Sequence, residues 1–119
     1  MKIRAYGCAE PFTTADGSTI RELLGLPTAP VRNQSLAEAT LEPGRATKRH
    51  HHRESEEFYY LLEGSGEMEI EGERAPVEPG DAILIPAGAR HQIRADEDGP
   101  LRFLCCCAPP YRHDDTFFD

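Results

Sequence analysis

Three histidines and one glutamate stand at offsets that suit a transition-metal ion. They occur in Gly44-x5-His50-x-His52-x4-Glu57-x6-Gly64 and in Gly80-x5-Pro86-x-Gly88-x2-His91. Imidazole nitrogens and a carboxylate are donors that first-row divalent metals accept from a protein. Alternate side chains of a β-strand share a face, so His50 and His52 project together while His51 points away and receives no ligand role. Arg53 to Glu56 is a polar stretch suited to a reversal. The aromatic run Glu57-Phe58-Tyr59-Tyr60-Leu61-Leu62-Glu63 is the next strand, and the hairpin brings Glu57 beside the histidines. His91 follows a Pro86-Ala87-Gly88 turn and heads a strand through Ile93 and Ala95. Four ligands on three strands then converge.

This pair of motifs resembles those of the cupin superfamily. Gly44, His50, His52, Glu57 and Gly64 match the first cupin motif, and Gly80, Pro86, Gly88 and His91 match the second. The six-residue interval to Gly64 favours Glu57 over Glu56. The asparagine that often closes the second motif would fall at position 95, which is Ala95 here, a departure that touches local hydrogen bonding rather than the ligand set. The resemblance implies an all-β chain, a double-stranded β-helix or jelly-roll barrel spanning residues 1–119 as a single domain. It also implies a divalent transition metal (iron, manganese, nickel or zinc) in the barrel mouth, and a homodimer.

Two further residues are candidates for catalytic roles. Tyr59 shares by parity the face of Glu57, as a proton shuttle or donor near the metal or as a core aromatic. Lys48 shares by parity the face of His50 and His52, as a contact for an anionic substrate or as a solvated rim lysine. The basic cluster Arg45, Lys48, Arg49 and Arg53 sits in a chain of net charge −8, which argues against nucleic acid as a partner. Cys105-Cys106-Cys107 has neither zinc-ligand nor disulfide-framework spacing and reads as small core residues of a last strand. Cys105 and Cys107 share one face, and which face looks into the barrel stays open.

The elements that must position these groups are short. Ten glycines and ten prolines, spread along 119 residues, fit many strands joined by tight turns. Residues 3 to 8 suit an edge strand. Thr19-Ile20-Arg21-Glu22 fits a capping box opening one short N-terminal helix through Leu24, stopped by Gly25 and Pro27. Strands are expected over 31–41, 47–53, 57–63, 67–71, 82–85, 90–95 and 101–108, about eight in all. The tail Tyr111 to Asp119 carries three aromatics that fold back on the barrel or cover a second subunit. No stretch approaches the ~20 apolar residues of a membrane span, and Met1-Lys2-Ile3-Arg4 opens no signal peptide. A cytoplasmic protein is therefore expected.

Three His and one Glu saturate a tetrahedral zinc, whereas octahedral iron, manganese or nickel keeps two places open. The open case points to a metalloenzyme of oxygenase or isomerase type acting on a small polar metabolite. The alternatives are a non-catalytic binding or sensing module and, last, a metal-free barrel working with a His base and a Tyr acid.

Overall fold

Alternating apolar and polar residues, broken every few positions by Gly, Pro or Asp, make a chain of short antiparallel strands. The computed structural model describes residues 1–119. Its strands are β1 (Phe12–Thr13), β2 (Thr19–Leu24), β3 (Ser35–Leu41), β4 (His51–His52), β5 (Glu56–Glu63), β6 (Gly66–Ile70), β7 (Glu73–Val77), β8 (Ala82–Ile85), β9 (His91–Ala95), β10 (Leu101–Ala108) and β11 (Thr116–Phe117). A six-stranded sheet runs β1-β2-β3-β10-β5-β8. Facing it is a three-stranded sheet, β7-β6-β9, continued by bridges Ala46–Arg94 and His50–His91 to the pair β4-β11. The result is the expected all-β barrel.

Two expectations near the N-terminus are corrected. Residues 19–24 form a strand, not a helix, pairing with β3 from Thr19↔Thr40 to Leu24↔Leu36. The supposed cap, Thr19, is the first residue of β2, directly after an Asx turn in which Asp16 Oδ1 accepts from the Ser18 backbone N–H at 2.9 Å and the chain reverses between β1 and β2. A six-residue segment gains little from helical propensity, and sheet pairing decides it. Residues 3–8 are no strand; they contain a 3-10 turn at Tyr6–Cys8, whose Tyr6 hydroxyl donates to Glu38 on the outer sheet face. The extra strands beyond eight are two-residue pieces and β7, which carries Pro76 and sits at a sheet edge, where a missing N–H is tolerated.

Inward side chains change character along each strand. On β5 the inward row runs Glu57, Tyr59, Leu61; on β10, reading the same way through the barrel, it runs Cys107, Cys105, Phe103, Leu101. At the far end Leu61, Ile85, Ile93, Leu101 and Phe103 are almost fully buried and fill the space. At the near end Ser35, Ala37, Cys105 and Cys107 are small, and a cavity remains. Gly64 is required where the far end closes: its φ is +80°, and a Cβ there would stand 2.0 Å from the Pro100 carbonyl oxygen. Ala95 is buried in this core, and its N–H donates to the Arg45 carbonyl at 2.8 Å.

Candidate metal centre

His50 and His91 face each other across a bridge between their backbones, each N–H donating to the other's carbonyl at 3.1 and 2.8 Å. His52 lies two residues on, in β4. The Gly88 N–H donates to the His52 carbonyl at 2.6 Å, so the turn of the second motif is fastened to the first. Glu57 enters from β5, buried, while its neighbour Glu56 is exposed on the outer face.

All three rings are oriented by backbone carbonyls. His50 Nδ1 lies 2.7 Å from the Lys48 carbonyl, His52 Nδ1 3.1 Å from that of Asp115, and His91 Nδ1 2.9 Å from that of Ala89. A carbonyl only accepts, so each Nδ1 carries the proton and each Nε2 presents a lone pair. One donor atom from each ring lies within 4.8 Å of the others. Glu57 Oε1 lies 3.3 Å from His52 Nε2 and 3.6 Å from His91 Nε2. Its Oε2 accepts from the Cys107 thiol at 3.3 Å. Glu57 Oε1 and His91 Nε2 are both buried without a hydrogen-bond partner. Such orphans are costly unless something binds them. A divalent cation fits the three grouped imidazoles, with the Glu57 carboxylate beside two of them.

The protonation preferences separate His91 from His52. Burial, aided by the nearby His50 ring, lowers His91 to about 4, leaving it neutral at pH 7. Burial alone would lower His52 and raise Glu57, but their mutual contact prevails: His52 is raised and Glu57 lowered. Burial and the Glu57 charge raise the Tyr59, Cys105 and Cys107 groups, which remain protonated.

Tyr59 is buried on the same wall, its ring 6.0 Å from that of His91 and 4.6 Å from Phe103. Lys48 departs from its expected placement. Residues 47–49 are not in a strand, so alternation does not govern them; the side chain is exposed with Nζ 6.0 Å from the Phe118 ring, outside the cavity wall. Its contribution is the carbonyl that holds His50. Of the other basic residues, Arg49 pairs with Glu69 at 2.7 Å and Arg53 lies over the Phe117 ring at 4.4 Å. His51 turns from the cluster and stacks on Phe117 at 5.4 Å. The face question for the cysteines resolves inward for Cys105 and Cys107 and outward for Cys106.

Beside the histidines lies a cavity with about 60 Å³ open to the centres of water-sized molecules, room for several waters or a small ligand. Sequence reasoning missed much of its wall. Asp16 stands with Oδ2 3.9 Å from His50 Nε2, and hydrogen bonds from Ser18 and Thr14 outweigh burial to lower its pKa. Tyr111 and Thr116 come from the tail. Asp115, also in the tail, is buried and accepts the backbone N–H groups of Arg53, Glu54 and Ser55 at 3.0 to 3.2 Å. The tail thus folds back on its own barrel and steadies the loop between His52 and Glu57. An Asp-Gly-Ser turn is visible in sequence, but its approach to His50 is not.

A family model described as the cupin domain matches residues 37–107. The chain belongs to the cupin family. This cupin is 46% identical over 111 residues to the uncharacterized protein MJ1618 of Methanocaldococcus jannaschii, a match covering 93% of this chain and 89% of that one. It is 33% identical to the polyketide synthase CurC of Streptomyces cyaneus, over 78% of this chain and 60% of the relative. Among solved structures, the polyketide cyclase RemF of Streptomyces resistomycificus superposes with a TM-score of 0.79 at 26% identity, covering 97% of this chain and 89% of that one. No helix of the cupin is long and apolar enough to cross a membrane.

Proposed function

We propose that this cupin is a divalent-metal-dependent enzyme acting on a small polar metabolite, with His50, His52, Glu57 and His91 as the metal ligands. The observation that carries this reading is the convergence of three carbonyl-oriented imidazoles beside the orphaned Glu57 Oε1. When bound, iron, manganese or nickel would supply Lewis acidity and two open coordination places for a substrate with adjacent oxygens. The residues of the chain do the rest. Carbonyls of Lys48, Asp115 and Ala89 fix the ring tautomers. Cys107 donates to Glu57 Oε2 and keeps Oε1 free. Tyr59, kept protonated by burial, would act as a proton donor rather than an acceptor. Phe12, Ile20 and Phe103 exclude water from the inner wall.

Oxygenase and isomerase chemistry both suit such a site. The likeness to polyketide proteins, RemF named as a cyclase, supports the non-redox, isomerase-type use. Tag-free protein loaded separately with iron(II), manganese(II), nickel(II) and zinc(II) tests the reading. Oxygen uptake is followed with hydroxy-ketone and phenolic substrates, and isomerisation is followed without oxygen. Conversion with an octahedral metal, lost in His91→Ala, is expected. Full metal occupancy without conversion of any substrate would make the barrel a binding module instead.

We also propose that a second copy covers the outer sheet face, where Phe58, exposed by 52%, pairs with Leu84, exposed by 54%, beside exposed Tyr60. Light scattering should report a dimer that Phe58→Glu shifts to monomer; a monomeric wild type at tens of micromolar would oppose it.

A further inference from the structure

The cavity wall is chemically one-sided. It carries the carboxylates of Asp16, Glu22 and Glu57 and no lysine or arginine. Asp16 is the decisive one because its geometry fixes it as an anion. Its Oδ1 accepts three hydrogen bonds: from Thr14 Oγ1 at 2.5 Å, Ser18 Oγ at 2.6 Å and the Ser18 N–H at 2.9 Å. Three donors on one oxygen hold a carboxylate in its charged form. The other oxygen, Oδ2, is left facing the metal-ligand ring of His50 at 3.9 Å.

Charge accounting then constrains the ligand. A divalent ion with Glu57 and three neutral imidazoles carries a net charge of one, and Asp16 brings that cluster to zero; Glu22, whose pKa burial raises, adds further negative charge to the wall where it is ionised. A dianion such as oxalate would leave two uncompensated negative charges in a cavity whose lining is otherwise largely apolar, which is strongly unfavourable. An uncharged ligand with hydroxyl or keto oxygens adds none, and Phe12, Ile20, Phe103 and Tyr111 offer its carbon skeleton an apolar and aromatic bed.

Resting on the metal-site reading above, we propose that this cavity selects uncharged oxygen chelators, rejects small carboxylates, and owes that selection to Asp16. Asp16→Asn keeps an oxygen to accept from Thr14 and Ser18 and replaces the free Oδ2 by an amide, so the turn is preserved while the charge is removed.

The test uses cobalt(II)-loaded full-length protein at pH 7, with hydroxyacetone as the uncharged probe and oxalate as the anion. Metal content, thermal melting and ligand titration by visible absorption are read on each variant. Wild type should bind hydroxyacetone at least roughly tenfold more tightly than oxalate. Asp16→Asn, with unchanged metal content and melting, should tighten oxalate by roughly tenfold or more while leaving hydroxyacetone within about threefold. Glu22→Gln should move oxalate in the same direction by less. Equal oxalate affinity in wild type and Asp16→Asn would overturn the proposal with the metal site intact. Failure of the wild type to hold cobalt would instead remove the metal-site reading on which it rests.

Discussion

The two ends of the barrel are built on the same strands and differ in what those strands point inward. On β10 the far end contributes Leu101 and Phe103, both essentially inaccessible, and the near end Cys105 and Cys107. On β9 the change takes one alternation, from Ile93 to His91. Large apolar residues close one end, while small residues and metal-type donors leave the other open. Stability and chemistry are therefore separable along a single strand, with the hydrogen-bonded ladder common to both.

Mutations that respect that division should behave differently at the two ends. Leu61→Ala removes a fully buried side chain at the closed end and should cost about 2–5 kcal/mol. Denaturant unfolding measures it, and folded protein should still bind metal stoichiometrically. Loss of metal at full folding would show that the ends are coupled. Asp115→Ala removes the acceptor of three backbone N–H groups next to His52 and should cost about 1–3 kcal/mol. It should also weaken metal retention during dialysis against a chelator, an effect Leu61→Ala lacks. Ala37→Leu fills the cavity wall; melting should shift little, metal should stay, and titration with hydroxyacetone should show no binding. Tyr59→Phe should be smallest, within about 1 kcal/mol in unfolding and silent in metal content. Any slowing of turnover in that variant would then be assignable to the hydroxyl.

How much of this was legible in sequence follows the range of each signal. Strands at Ala82–Ile85 and Leu101–Ala108 were readable with their bounds, because apolar runs between turn residues carry the information locally. So was the meeting of His50, His52 and His91, since each spacing is set by a strand or a turn. Residues 19–24 were misread because Thr19 and Glu22 carry a capping-box spacing that a short strand also tolerates, and only the partner strand β3 decides between them. Lys48 was misplaced because parity was applied to residues outside a strand. Asp115 could not be linked to residues 53–55 in advance: some sixty residues separate them, and no periodic pattern spans that gap. Asp16 belongs to the same class, a loop residue given its neighbour by topology alone.

The central claim is that the open end is a metal centre built on these four residues. Its most direct test is elemental analysis of tag-free protein purified without added metal, comparing wild type with His52→Ala. Both should give the same β-rich circular dichroism. The account predicts about one iron, manganese or nickel per wild-type chain and a near-complete loss in the variant. Stoichiometric metal retained by folded His52→Ala would contradict it.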